Sequence, residues 1–187
     1  MKKRLLKLIL LGFSLGITVL AAAQNEAAAV REVRAAYAAA KEQIARSSES
    51  DDANLHNDVV TTIRRNMPGS GPSVETYHCY FDLDVQAEPV WEVHYRPYFI
   101  TRKYNIAARN FYEEYLYEPA SGRLLFVFLQ GDSFDGGKNE ERYYYDAEGR
   151  LVSEHIKGER TISDEDLRYD ADLFRSLIAH RLDHSVR

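Results

Sequence analysis

Apolar and polar residues change rhythm several times along this chain, and each change marks an element. From Val30 to Ile44 the apolar side chains recur at three- and four-residue spacing (Val30, Val33, Tyr37, Ala40, Ile44), with Arg31, Glu32, Arg34, Lys41 and Glu42 mostly off that stripe. This period predicts an amphipathic helix from Asn25, a suitable N-cap, to about Ser48. The stripe is too short for a coiled-coil seam, so it reads as a face docked on the chain's own sheet. Residues 47–57 are polar and acidic and read as a loop.

Beyond the loop the rhythm becomes two. Residues 59–63 form a short strand, and MPGSGP (67–72) is a turn. No Lys-Ser/Thr and no helix follow its glycines, so the means of cradling phosphate is missing. Residues 74–86 alternate, with Tyr77, Cys79, Phe81, Leu83 and Val85 on one face and Thr76, His78, Tyr80, Asp82 and Asp84 on the other. Residues 90–100 continue in phase, and Pro97 predicts a bulge, break or edge. Residues 104–157 then read as hairpin after hairpin: FYEEYLYEP, RLLFVFLQ and ERYYYDAEGRLV, broken at Pro119, Gly122 and Gly149. Finally Ser163, with Asp166 three residues on, caps a helix whose apolar positions are Leu167, Ala171, Phe174, Leu177, Ile178 and Leu182.

These elements predict an α+β domain: an antiparallel β-meander of about six strands, after one short strand, packed against N- and C-terminal helices. A cystatin-like curved sheet around the first helix is the alternative. Residues 124–129 are apolar on both faces, Leu124, Phe126 and Phe128 against Leu125, Val127 and Leu129, whereas an antiparallel sheet usually leaves one face wet. If both helices lie on one side, the other side keeps an apolar, tyrosine-rich patch. Tyr112, Tyr115, Tyr117, Phe126, Val127, Tyr143, Tyr144 and Tyr145 would then form the working surface, as a homodimer seam or a ligand platform.

The first 23 residues change the picture of where the chain works. Lys2, Lys3, Arg4 and Lys7 precede an apolar run from Leu8 to Leu20, and Ala21-Ala22-Ala23 follows. This is the pattern of a signal peptide cleaved after Ala23, leaving one domain, 24–187, in the periplasm or outside the cell. The run is short for a span of about 20 residues, so no stable membrane insertion is expected afterwards. Cleavage removes four positive charges and takes the formal charge from -5 to -9. Nucleic acid and anionic lipid surfaces, which demand basic patches, are excluded as partners. The single Cys79 lies in an alternating run and reads as a small core residue.

Three stretches carry a resemblance. IRRNMPGSGP, RKYNIAARNFYEEYLYEPASGRLLFVF and ERYYYDAEGRLV together resemble a group of small secreted proteins of unknown function from Bacteroidetes-type bacteria. The YYYDAEGRLV segment alone also resembles the tyrosine-aspartate hairpins of cell-surface wall-repeat proteins. The resemblance implies an address and a fold and carries over no catalytic residue.

Candidate chemistry is sparse. His78 and His94 share the polar face of adjacent predicted strands and offer a metal or proton-transfer site if they are neighbours. Asp132 and Asp135 lie in the glycine-rich loop GDSFDGGKNEE, where oxygen ligands suit calcium, although the spacing departs from the EF-hand pattern. His180 and His184 stand one helical turn apart. Glu113 and Glu114 are adjacent on a strand and point to opposite faces. No cofactor motif is present. The expected function is a non-enzymatic binding module for an envelope protein or glycan. The alternatives are a hydrolase-type or metal-dependent enzyme and a structural envelope component.

Overall fold

The computed structural model describes residues 2–49, 57–86 and 92–184, with helix side chains described from Gln24 onward. Helix α1 (Lys2–Glu49) is followed by strands β1 (Asp58–Met67), β2 (Gly71–Gln86), β3 (Glu92–Ile106), β4 (Arg109–Tyr117), β5 (Leu124–Asp132), β6 (Lys138–Tyr145) and β7 (Leu151–Lys157), and by helix α2 (Asp164–His184). The seven strands form one antiparallel sheet in sequence order. The chain is therefore an α+β meander with a helix at each end. Helix α1 runs through Asn25 without a break, so that residue caps nothing in the full-length chain; the alanines on either side of it favour helix too strongly. Trp91 and most of the acidic loop expected at 47–57 lie outside the described residues.

The helices cover opposite faces of the sheet. Val33, Ala40, Tyr37 and Ile44 of α1 pack on Phe99, Leu116, Phe126 and Tyr144. Leu167, Ala171, Phe174 and Leu182 of α2 pack on Cys79, Ile100, Tyr115, Tyr117, Val127 and Tyr143. Helix α1 lies obliquely, with Arg34 over the Tyr144 ring of β6 and Gln43 bonded to Asp82 of β2. This overturns the expectation of two helices on one side. Strands β4 and β5 are covered on both faces, and Val127 has no exposed surface.

Three β-bulges bend the sheet at one end. The β2–β3 ladder slips so that Tyr80 faces Phe99 and Phe81 faces Pro97, leaving Tyr98 as the extra residue. Pro97 lacks the N–H that a regular ladder needs, which places the irregularity beside it. In the next two hairpins the slips fall between Leu116 and Tyr117 and between Tyr144 and Tyr145, with Leu125 and Val152 as the extra residues. The bulge at Leu125 changes which side chains share a face. Leu124 joins Val127 and Leu129 toward α2, while Leu125 joins Phe126 and Phe128 toward α1.

Each fully buried Phe or Val contributes about 1.5–3 kcal/mol, and an unpartnered charge in its place costs more. With cover on both faces, Phe126→Lys and Val127→Lys are each expected to abolish the cooperative thermal transition followed by circular dichroism. A native-like melt for either variant would show that its face is open to water.

Candidate functional site

In a meander β2, β4 and β6 run in the same direction, and each carries the triplet Glu-x-Tyr: Glu75-Thr76-Tyr77, Glu113-Glu114-Tyr115 and Glu141-Arg142-Tyr143. Residues two apart share a face of a strand, so each tyrosine reaches back to its own carboxylate. Tyr77 donates to Glu75 Oε1 at 2.5 Å, Tyr115 to Glu113 Oε2 at 2.7 Å, and Tyr143 to Glu141 Oε2. The three glutamates thus gather at one end of the α2 face, with the tyrosine rings running back into the core. On the α1 face the order is reversed: Tyr112 donates to Glu114 Oε1 and Tyr37 to Glu114 Oε2, both at 2.6 Å, with Lys41 Nζ at 3.3 Å. Among the described residues these four glutamates are the buried acidic side chains.

Arg102 of β3 joins two of them. Its Nε donates to Glu75 Oε1 at 2.7 Å, its Nη1 lies 3.3 Å from Glu113 Oε2, and its guanidinium sits 4.2 Å from the Tyr104 ring centre and 4.9 Å from that of Phe174. Arg65 adds a bond to Glu75 Oε2 at 2.5 Å. Burial by itself pushes the Glu75 carboxyl up, but the Tyr77 hydroxyl and the two arginines outweigh it and hold it below the ordinary carboxylate value. Burial likewise opposes the charge of Arg102, and Glu113 leads the groups that override it and raise its pKa. Glu141 holds the far side: Thr161 donates its backbone N–H to Glu141 Oε1 at 2.8 Å, and its hydroxyl donates there too. That contact folds the segment after β7 over the sheet, where Gly158 is needed because a Cβ there would overlap Asn139 Oδ1.

Over this frame opens a cleft of about 410 Å³. Its floor includes Arg102, Tyr104, Phe111 and Glu113; its walls come from the β3–β4 and β5–β6 hairpins, residues 159–162 and Asp170 of α2. Tyr104 and Phe111 stack with ring centres 4.9 Å apart. Phe111 lies against Gly131 of the next strand, where a Cβ would fall 2.6 Å from the ring. A pit of about 30 Å³ in the floor is lined by both Glu113 and Glu141. Phe134, at the tip of the β5–β6 hairpin, is 86% exposed and carries the Arg109 guanidinium 3.9 Å from its ring centre. The β3–β4 turn that delivers Arg109 holds Ala107 at φ 54°, a left-handed conformation that a Cβ disfavours. Other depressions of similar size lie toward the α1 face, one lined by Arg34, Tyr37 and Arg142, one by Lys103, Tyr112 and Gln130, and one by Val30, Arg31 and Ser153. The α2-face cleft differs in combining a buried ionic floor with a nearly free aromatic ring at its lip.

Of the surface expected from sequence, Tyr115, Tyr117, Phe126, Val127, Tyr143, Tyr144 and Tyr145 are buried under the two helices, so no dimer seam or ligand platform is formed by them. Tyr112 is half-buried in a groove on the α1 face. His78 and His94 are not neighbours. His94 pairs with Asp84 and His78 with Thr101, about 20 Å apart along β2 at roughly 3.3 Å per residue. His78 instead bonds Asp58 through Nε2 and meets the Tyr80 hydroxyl through Nδ1 at 3.0 Å. Asp132 accepts from Lys138 Nζ at 2.6 Å and from the Asn110 backbone at 2.7 Å, and these bonds, the lysine's first, hold its carboxyl below the ordinary value. Asp135 accepts from the Gly137 N–H, which lowers it similarly. Asp135 thus binds its own loop, and Asp132 ties that loop to Asn110 of β4. The side chain of His184 lies outside the described residues, and His180 is exposed. Among the described residues no group of three or more His, Cys, Asp or Glu is placed to hold a metal. Cys79 is fully buried, and burial raises its thiol well above the ordinary value.

Comparison with protein-family profiles, curated sequences and solved structures finds no match. The cleft therefore rests on its own geometry. Its frame had a sequence signal, the thrice-repeated Glu-x-Tyr, which alternation read only as one face of a strand.

Removing one partner from a buried ion pair costs about 3–5 kcal/mol, so Arg102→Met is expected to lower the melting temperature by at least several degrees. Because Glu75 is held below its ordinary value, its contribution is present above about pH 4.3 and is lost as the pH falls through the folded-state value. Melts from pH 7 to pH 3 should show a shallower loss for Glu75→Gln than for the wild type; equal slopes would remove Glu75 from the account. Ala107→Gly should stabilise the domain by about 1 kcal/mol in urea unfolding, since glycine adopts the left-handed turn without strain.

Proposed function

We propose that the protein is a non-enzymatic binding module, working in the periplasm or outside the cell after loss of residues 1–23, and that it seats a glycan in the α2-face cleft. The observation that carries this reading is Phe134, almost wholly exposed at the lip of a cleft whose polar floor is already hydrogen-bonded. A sugar ring presents an apolar C–H face and a rim of hydroxyls, which suits an aromatic plate beside fixed polar groups. The charged floor is built before the ligand arrives, so little ordering is left for binding to offset. A protein partner finds less apolar surface at this cleft, where Ile106 and Phe134 are the exposed large apolar side chains among the lining residues. No described helix is long and apolar enough to cross a membrane.

A second reading has one observation in its favour: Glu113 and Glu141 line the same pit. They stand two strands apart on one face, roughly 9–10 Å between backbones, near the carboxyl separation of about 6.5–9.5 Å used by inverting glycoside hydrolases. Both carboxylates accept tyrosine hydroxyls, and Glu141 also holds Thr161. That engagement favours a structural role over a proton-transfer pair.

Residues 24–187, purified and applied to a glycan array, should capture a defined set of saccharides without releasing reducing ends. Phe134→Ala should weaken that capture about tenfold, equivalent to roughly 1.4 kcal/mol, while leaving the melting temperature unchanged. Capture of no glycan, or unaltered capture by the variant, would remove the reading. Release of reducing ends abolished by Glu113→Gln would establish the hydrolase instead.

A further inference from the structure

We propose that the cleft reads one acidic group on its saccharide, a carboxylate or a sulfate, through the guanidinium of Arg109; this rests on the glycan reading above and adds the charge of the ligand. Arg102 is committed to Glu75 and Glu113. Arg160 pairs with Glu154 at 2.5 Å, and Lys138 with Asp132 at 2.6 Å. Among the described residues Arg109 has aromatic partners: its guanidinium lies 3.9 Å from the Phe134 ring centre and 5.5 Å from that of Phe111. Stacking uses the flat face of a guanidinium and leaves its in-plane N–H donors available for a planar two-oxygen acceptor.

Two features hold Arg109 in place before any ligand arrives. Its neighbour Asn110 is fixed by its backbone and side-chain bonds to Asp132, at 2.7 and 3.3 Å. On the other side lies the left-handed turn at Ala107, whose carbonyl accepts from Asn105 Nδ2 at 3.1 Å. The acidic chain as a whole does not steer anions toward this site, so recognition is local. The remaining walls are acidic, with Glu159 and the half-buried Asp170 among the lining residues. A ligand bearing a single acidic group satisfies Arg109 without meeting those carboxylates, whereas a dense polyanion does not.

The test uses residues 24–187 and isothermal titration with cellobiouronic acid, its methyl ester, lactose, lactose monosulfate and heparin as probes. Wild type should bind an acidic sugar at least tenfold more tightly than its neutral counterpart, and the monoanions more tightly per site than heparin. The carboxylate and sulfate pairs show which group is read. Arg109→Gln should bring acid and neutral forms within about twofold while leaving the melting temperature unchanged, and Arg109→Lys should restore part of the preference. Equal binding of acid and ester by wild type, or a preference that survives Arg109→Gln, would overturn the inference and leave the glycan reading standing. Failure of every probe alongside an empty glycan array would remove both.

Discussion

A strand that is apolar on both faces can be stable only between two covering layers, and the rest of this structure follows from that requirement at β4 and β5. Helix α1 meets one face and α2 the other. The sheet is left with its central strands dry, while Val60, Val74, Leu83, Val85 and Val93 stay exposed on β1–β3. Each helix reaches across the meander rather than onto its neighbour in sequence: α1 lies against β5, β6 and β7, and α2 against β3. The tyrosine-rich hairpins are therefore the interior of the domain, and the α2-face cleft opens toward the ends of the strands.

At one end the interior becomes ionic in a regular way. Each of β2, β4 and β6 enters the sheet with a glutamate, followed two residues later by the tyrosine that satisfies it. In β4 and β6 the pattern extends to Glu-x-Tyr-x-Tyr, and the second tyrosines secure α2: Tyr117 donates to the Ala171 carbonyl and Tyr145 to Asp164. In β2 the matching position is Cys79, which has no such reach. The floor of the cleft and the seat of α2 are thus products of one repeated device, and the cleft is rigid where it is charged.

Much of this architecture was legible because it is local. Ser163 and Asp166 meet at the start of α2 through bonds of 2.6 and 3.2 Å, as their spacing implies, and the ladder slips beside Pro97. The side on which each helix lies was not legible, because α1 presents a stripe without stating which face receives it. The bulge at Leu125 was equally hidden, and it exchanges the faces of Leu124 and Leu125 relative to strict alternation. The cleft draws Arg109, Phe134, Thr161 and Asp170 from separate connections and a helix, so no spacing rule brings them together. His78 and the loop aspartates stood out by type alone, and their polar atoms proved to be engaged within the chain, His78 by Asp58 and Asp132 by Lys138.

The tyrosines that organise the interior also set how the molecule meets alkali. Burial first, and for most of them an adjoining carboxylate second, raises the phenols of Tyr77, Tyr115, Tyr143 and Tyr145; in Tyr117 burial dominates. A phenol whose folded value is raised lends stability that is complete below its ordinary value of about 10 and is lost as the pH climbs beyond it. These rings therefore stay neutral while the domain is intact. Their conversion to phenolate and the opening of the sheet become a single event, so the phenolate absorbance of these five rings is a spectroscopic record of unfolding in base.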